Sequence, residues 1–166
     1  MRGDNMSETT TINIEFKYLE KLVLEYYKKE FNEALEAAKT ADYIVVTAGI
    51  HEGEFQDRAL LHLEGNQEAF IQEVSKMNKP TTVLLVGGSA IKTAAWKDKV
   101  GAILNVWYPG EEGGHAVAKT LFGENNPSGK LPITYPIHEG QLPLTYNHHP
   151  TGRGDDYHHL SGEPLY

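Results

Sequence analysis

The sequence predicts an α/β fold, a three-layer sandwich in which helices flank a mainly parallel β-sheet. Two observations support this prediction. Short apolar segments that are typical of buried strands alternate with segments of helical periodicity through the middle of the 166-residue chain. The apolar segments also lack alternating polar residues, as expected for parallel strands that are covered on both faces. The length suits one domain with a substantial core.

The elements are predicted in order from periodicity and from the residues that end each segment. Phe31, Leu35 and Ala38 share one face and predict a first helix over residues 31–41. Strands are predicted over residues 43–49, 81–86 and 102–107, each ended by glycine or by Tyr-Pro-Gly. The remaining predictions are helices over residues 66–77, 90–96 and 115–122, with Ser89 as the N-cap of the second, and an extended piece over residues 131–135.

The start of the chain does not share this regularity. Residues 1–11 have the composition of a disordered start or of a cloning remnant, and they lack the apolar stretch of a signal peptide. Residues 12–27 first alternate like a strand and then fit a helix. The chain is therefore divided into residues 1–11, a leading segment over residues 12–30, and one domain over residues 31–166 that is irregular from about residue 124.

Composition and charge exclude several classes of protein. The net charge of −8 argues against nucleic-acid binding, because contacts to phosphates need a basic surface. No basic amphipathic stretch or apolar run of about 20 residues points to a membrane. The absence of cysteine excludes disulfides and thiolate metal sites. The histidine pairs His148-His149 and His158-His159 lack the spacing of a helical zinc motif, so neither a metal nor another cofactor is predicted.

Polar residues cluster where the predicted strands end. The segments after the strands read HEGEFQDR, GGSAIKTAAW and WYPGEEGG. Because ligands bind outside the carboxyl ends of parallel strands, these segments predict a site at one edge of the sheet. The absence of GxGxxG and of a P-loop lysine argues against a nucleotide site of Rossmann type. The absence of GxSxG argues against a serine hydrolase.

A carboxylic acid that donates a proton is the remaining chemistry at this edge, and Glu52 and Glu54 are the candidates. A glutamate in a partly desolvated cleft near a second carboxylate has a raised pKa and can protonate a leaving oxygen near neutral pH. Glycoside hydrolysis uses such an acid with a second carboxylate. Phe55, Trp107 and Tyr108 could stack on a sugar ring, although for Trp107 packing in the core is an equally good interpretation.

Five segments resemble, in order, the C-terminal α/β sandwich domain of glycoside hydrolase family three, the β-glucosidase and β-xylosidase family. They read EALEAAKTADYIVVTAG, EGEFQDRALLHLEGNQEAFI, VLLVGGSA, AILNVWYPGEEGGHAVAKTLFGENNPSGKLPITYP and LPLTYNHHPTGRGDDY. The resemblance covers residues 31–166. It implies a domain that is truncated at both ends, without its first part and without the N-terminal (β/α)8 barrel that carries the nucleophilic aspartate.

The resemblance also implies roles for single residues. In the EGE-x-x-DR loop, the acid/base glutamate lies four residues before the arginine, which is Glu54, with Glu52 as the alternative. Asp57 and Arg58 match the DR pair and are expected to orient the loop, although an ordinary surface ion pair is the alternative. The residues expected to contact the substrate are His51, Phe55, Asp57, Arg58 and Trp107. Phe55 stands where glycine is common, and Glu64 stands where proline is usual, a change expected only to alter a helix start.

The function implied is part of a retaining β-glycosidase that acts on β-linked glucosides or oligosaccharides. This chain would supply the acid/base, and a (β/α)8 barrel, in the full-length protein or in trans, would supply the nucleophile, so the isolated chain is expected to be inactive. The alternatives are a non-catalytic sugar-binding or scaffolding module and, more remotely, a small-molecule binder of Rossmann type. The absent neighbours also predict an open sheet edge that favours homo-oligomers, unless residues 12–27 cover it.

Overall fold

Three parallel strands form the sheet in the computed structural model, which describes residues 16–145. Strand β1 spans Ile44–Gly49, β2 spans Thr81–Val86, and β3 spans Ala102–Asn105. The order is β1-β2-β3, so that β2 is the central strand and pairs in parallel with both neighbours. The parallel sheet that the apolar segments predicted is confirmed, although β3 ends two residues before the predicted position.

Three helices accompany the sheet. Helix α1 spans Phe16–Thr40, α2 spans Gln67–Ser75, and α3 spans Gly113–Leu121. The predicted helices over residues 66–77 and 115–122 are confirmed with small shifts at their ends, whereas the predicted helix over residues 31–41 is the last part of a longer helix that begins at Phe16. The leading segment is helical from Phe16 onward, whereas residues 12–15 lie outside the described part. None of the described helices is long and apolar enough to cross a membrane.

The core lies between the sheet and helices α1 and α2. Alternate residues of β1 are buried, with Ile44, Val46 and Ala48 inside and Val45 and Thr47 exposed. Helix α2 contributes Ile71 and Val74, and the other buried members of this cluster are Ala38, Ile50, Leu63, Val83, Leu85, Ile91 and Trp96. Burial of this apolar surface is the main source of stability for the fold and holds the strand ends in place.

Contacts with α2 and with the segment before β2 hold helix α1 in place. The rings of Phe31 and Phe70 meet edge to face, with centroids 5.5 Å apart. At the end of α1, the Lys79 ammonium donates to the carbonyl oxygens of Ala38 (3.2 Å), Lys39 (2.5 Å) and Ala41 (2.6 Å). The carbonyl of Ala38 also accepts a hydrogen bond from the N–H of Ala41 at 3.3 Å. The cation adds a partner for these carbonyls at the C-terminal end of α1, where it complements the helix dipole.

The predicted helix over residues 90–96 is wrong. This segment is a loop that leads into a 3₁₀ turn at Lys97–Lys99. The N–H of Lys92 donates to the carbonyl oxygen of Leu61 at 2.7 Å, and only a turn forms at the end of the segment, where the N–H groups of Trp96 and Lys97 donate to the carbonyl oxygen of Thr93. Ser89 caps no helix, because its side chain is engaged at the edge of the sheet where the strands end.

The predicted extended piece over residues 131–135 does not form a strand either. It pairs with no strand, and it is joined to the sheet through Tyr135, whose hydroxyl accepts a hydrogen bond from Asn105 Nδ2 at 2.7 Å. The only regular element between residues 124 and 145 is a 3₁₀ turn at Glu139–Gln141.

Both outer strands keep one free edge within the described part of the chain. Strand β1 pairs only with β2 on one side, and β3 pairs only with β2 on the other. Val45 of β1 and Ile103 of β3 are exposed, as is Tyr43 just before β1. This is the open edge that the sequence predicted, whereas the predicted homo-oligomer stays a prediction.

Candidate functional site

The loops that follow the three strands meet at the carboxylate of Glu52. Glu52 comes just after β1, and its Oε2 accepts hydrogen bonds from the N–H of Gly88 (2.6 Å), after β2, and from the hydroxyl of Tyr108 (2.9 Å), after β3. The Ser89 hydroxyl donates to its Oε1. The three segments that the sequence placed at one edge of the sheet are therefore in direct contact.

Arg58 closes the same cluster from the far end of the β1 loop. Its Nε lies 3.5 Å from Glu52 Oε1, and its Nη2 donates to Ser89 Oγ (2.6 Å) and to the carbonyl oxygen of Ala90 (3.1 Å). The side chains of Arg58 and Glu52 are only 14% and 19% exposed, so water screens this pair less than it screens a surface pair. Asp57 is exposed and makes no side-chain hydrogen bond to any described residue.

The environment of Glu52 favours its ionised form. Burial raises the pKa of its carboxyl group, but the hydrogen bonds from Ser89, Gly88 and Tyr108 and the charge of Arg58 together lower the pKa below its ordinary value. The same contact raises the pKa of Tyr108, whose hydroxyl donates to Glu52. The contacts of Glu52 therefore act against the raised pKa expected of a catalytic acid, since together they hold the pKa of this carboxyl group below its ordinary value.

Glu54 lies at the tip of the same loop. The loop turns between Gly53 and Gln56, where the N–H of Gln56 donates to the carbonyl oxygen of Gly53 at 3.1 Å. The side chain of Glu54 is exposed and makes no hydrogen bond or ion pair with another described residue. Unlike Glu52, Glu54 can contact a bound molecule without breaking a contact within the described protein.

An open cavity of about 900 Å³ lies beside this loop. Among the residues expected to form the site, those that line it are His51, Glu52, Glu54, Asp57 and Arg58. Tyr108 and Ser89 also line it, whereas Phe55 and Trp107 do not. The cavity is large enough for a small sugar, and its polar lining could orient one.

The two aromatic residues outside the cavity share an unusual backbone conformation. Phe55 has φ 64° and Trp107 has φ 53°, in the left-handed region that glycine adopts most easily. The Phe55 side chain is 100% exposed at the tip of the loop, which fits a position where glycine is common. Trp107 is half-buried, and its conformation interrupts the extended backbone of β3.

His51 is held by Glu64, which does more than alter a helix start. His51 Nδ1 lies 2.7 Å from Glu64 Oε2, and the N–H of His51 donates to Oε1 at 3.1 Å. These bonds lower the pKa of Glu64. Nearby, the side-chain amide of Gln67 bonds both the N–H (2.7 Å) and the carbonyl (2.8 Å) of Gly49. The end of β1 and the start of α2 therefore position the first residues of the loop.

The described residues contain no group of three or more histidine, aspartate or glutamate side chains that could hold a metal ion. The pairs His148-His149 and His158-His159 lie outside the described residues.

Sequence reasoning missed the residues that hold the loop in place. Ser89 follows two glycines after a strand, which suggested a helix cap rather than an anchor for Glu52. Glu139 accepts a hydrogen bond from the N–H of Leu61, 78 residues earlier in the chain. No local pattern marks such a contact, since it depends on how the tail packs against the folded sheet.

Comparisons with known proteins agree with the resemblance seen in the sequence. The model of the glycosyl hydrolase family 3 C-terminal domain matches residues 2–166. A β-xylosidase from Formosa agariphila is 33% identical over 171 residues, an alignment that covers 98% of this chain and 24% of the relative. A periplasmic β-glucosidase from Salmonella typhimurium is 38% identical over 125 residues and is covered for 16% of its length. The chain thus spans a quarter or less of these relatives.

Solved structures show the same similarity. A β-glucosidase from Listeria innocua superimposes with a TM-score of 0.73 at 30% identity, covering 82% of this chain and 19% of that one. A β-glucosidase from Erythrobacter marinus gives a TM-score of 0.69 at 37% identity, covering 76% of this chain and 18% of that one.

Proposed function

Because this chain belongs to glycosyl hydrolase family 3, as its C-terminal domain, we propose that it supplies the general acid/base of a retaining β-glycosidase. Glu54 protonates the oxygen of the leaving sugar and later takes a proton from the attacking water. The observation that carries the proposal is the exposed carboxyl group of Glu54, which has no partner among the described residues. It lies beside an open cavity, on a loop whose two ends are anchored.

The second carboxylate of the reaction comes from another domain. A retaining mechanism needs a nucleophile with its carboxyl group about 5–5.5 Å from that of the acid/base. Glu52 is a poor candidate, because hydrogen bonds from Gly88, Ser89 and Tyr108 already occupy its oxygens. A (β/α)8 barrel, in the full-length protein or in trans, supplies the nucleophile and most contacts to the sugar.

The substrate class is a β-linked glucoside, xyloside or short oligosaccharide, since the relatives are named β-glucosidases and β-xylosidases. His51 and Asp57 line the cavity and offer polar contacts to sugar hydroxyls. The fully exposed ring of Phe55 and the half-exposed ring of Tyr108 offer apolar surface on which the leaving sugar packs.

The test is an activity assay of the 166-residue chain on aryl β-glucosides and aryl β-xylosides. The chain alone should show no turnover, and turnover should appear when a barrel domain from a family relative is added. Clear turnover by the chain alone would overturn the division of labour between the two domains.

Substitutions in the reconstituted pair then test the role of Glu54. Glu54→Ala should lower kcat for substrates with poor leaving groups by about 10²–10⁴-fold, and azide should partly rescue substrates with good leaving groups. Glu124→Ala, at an exposed position after α3, is the matched control and should leave kcat unchanged with or without azide. Azide rescue of Glu52→Ala in place of Glu54→Ala would move the acid/base to Glu52.

A sugar-binding or scaffolding module is the second candidate function. The complete exposure of Phe55 favours it, because aromatic rings of this kind bind sugars without any chemistry. Calorimetry of the isolated chain with glucose and cellobiose separates the two functions. Binding by the isolated chain, combined with no turnover after addition of a barrel, would support the module.

A further inference from the structure

We propose that Glu52 is a positioning residue, whose carboxylate ties the loop that carries Glu54 to the ends of β2 and β3. This inference rests on the proposed function, because it concerns how the acid/base of that function is presented. It assigns to Glu52 a role that is neither acid/base nor nucleophile.

The donors around Glu52 come from three different places in the chain. The N–H of Gly88 and the hydroxyl of Ser89 belong to the exit of β2, the hydroxyl of Tyr108 belongs to the exit of β3, and Arg58 ends the loop itself. Because each of these groups gives a hydrogen bond or a positive charge, the arrangement favours an ionised carboxylate, whose single negative charge is shared by two accepting oxygens. A protonated Glu52, or an amide in its place, would bring a donor against one of these groups.

The backbone near Gly88 is shaped to admit this carboxylate. A Cβ atom at Gly88 would lie 3.0 Å from Glu52 Oε2 and 2.8 Å from Cε2 of Tyr108. Only glycine allows Glu52 and Tyr108 to approach so closely, and this fits a Gly-Gly step directly after β2. The contact therefore depends both on the carboxylate of Glu52 and on the glycine at position 88.

Both ends of the Glu54 turn depend on this contact. The turn runs from Gly53 to Gln56, with Phe55 at φ 64°. Glu52 directly precedes it, and Arg58 follows it two residues after Gln56. With Glu52 bound to β2 and β3 and Arg58 bound to Ser89, Glu54 is held at the tip of a short hairpin-like loop while its own side chain stays free.

Nuclear magnetic resonance on the 166-residue chain tests this without any activity. Arg58 and Tyr108 are the ionisable groups in contact with Glu52 among the described residues. The side-chain carboxyl carbon of Glu52 should titrate below its ordinary pKa of about 4.3, and the amide proton of Gly88 should shift with the same midpoint. A Glu52 midpoint at or above the ordinary value, with no response from Gly88, would overturn the proposal.

Variants give the second measurement. Glu52→Gln should increase the ps–ns motion of residues 53–57 in ¹⁵N relaxation, whereas Glu124→Gln should not. If Glu52→Gln fails to fold, Ser89→Ala and Tyr108→Phe each remove one donor and should increase the same motion to a smaller degree. Unchanged relaxation of residues 53–57 in all folded variants would contradict a positioning role.

Activity of the reconstituted pair separates this proposal from the proposed function. Glu52→Gln should lower kcat by about 10²-fold with little change in KM, because a shift of about 1 Å in a catalytic group costs that much, and azide should not rescue it. Azide rescue of Glu52→Ala, in which the shortened side chain leaves room for the anion, would mean that Glu52 itself is the acid/base. If the Glu52 titration and the relaxation of residues 53–57 show no anchoring, while Glu54→Ala still lowers kcat as expected, the positioning role of Glu52 is wrong and the proposed function stands.

Discussion

The carboxylate of Glu139 accepts a hydrogen bond from the backbone N–H of Leu61, with 2.8 Å between Oε1 and the nitrogen. The Lys92 ammonium lies 3.1 Å from both oxygens of the same carboxylate. Lys92 in turn donates its own N–H to the carbonyl of Leu61 at 2.7 Å. These contacts join three distant segments at Leu61, which lines the cavity beside the loop that carries the candidate acid/base.

Acid should weaken the contacts of Glu139 with Leu61 and Lys92. The backbone N–H of Leu61, together with Lys92, lowers the pKa of Glu139 from 4.5 to about 2. A depressed pKa stabilises the folded state above the ordinary pKa, and that contribution is lost as the pH falls from about 4.5 toward about 2. Hydrogen exchange of the Leu61 amide should accelerate over that range, measured relative to amides in α2.

Substitution of Glu139 tests whether this carboxylate causes the acid response. Glu139→Gln should accelerate exchange of the Leu61 amide and remove the further acceleration, relative to amides in α2, between about pH 4.5 and pH 2. Glu111→Gln, at an exposed position in the loop after β3, should leave both unchanged. An acid response that persists in Glu139→Gln would assign it to another carboxylate.

Loss of core volume in α2 should destabilise the whole domain. Ile71 is completely buried against the sheet, so Ile71→Ala should lower the free energy of unfolding by about 2–5 kcal/mol. Gln72→Ala, at the next position of the same helix, should change it by less than about 0.5 kcal/mol. Urea denaturation followed by circular dichroism measures both, and equal effects would contradict the assigned core.

The Lys79 ammonium should stabilise the end of α1. Lys79→Met keeps the aliphatic stem but removes three hydrogen bonds to carbonyl oxygens, and it should cost about 1 kcal/mol. Lys76→Met removes only an exposed ion pair with Glu73 and should cost about 0.3–0.5 kcal/mol or less. Thermal unfolding of the two variants compares them directly, and a larger effect for Lys76→Met would be inconsistent with the cap.

The sequence predicts the positions of the strands well because each is a short apolar run ended by a turn signal, although only β2 is buried along nearly its whole length in the described part, whereas β1 is buried at alternate residues and β3 is partly exposed. Thr81–Val86 is a run of six residues of which five are buried, and a short continuous apolar run of this kind is typical of a central parallel strand. The same strands placed HEGEFQDR, GGSAIKTAAW and WYPGEEGG at one edge, since parallel strands end on the same side. The meeting of Glu52 with Gly88 and Tyr108 follows from that topology.

The wrong prediction of a helix over residues 90–96 has a physical cause as well. The periodicity of residues 90–96 fits a helix, but the backbone of Lys92 bonds to Leu61 and the hydroxyl of Ser89 bonds to Glu52. Such contacts join segments about 30 or more residues apart and leave no local mark. Spacing alone could not show which of Glu52 and Glu54 is held by other loops, because this depends on which carboxylate accepts hydrogen bonds from residues after β2 and β3.

Crowding at Gly88 offers a final test of the cluster around Glu52. In Gly88→Ala the new Cβ would lie 2.8 Å from the ring of Tyr108, so the ring must move and its hydrogen bond to Glu52 should be lost. Because that hydrogen bond raises the pKa of Tyr108, its midpoint should fall toward the ordinary value in a ¹³C titration of the ring. Gly114→Ala, which meets nothing within 4 Å in α3, should leave that midpoint unchanged and stabilise the chain by about 0.5–1 kcal/mol. A Tyr108 midpoint that is the same in both variants would show that the contact with Glu52 does not control this side chain.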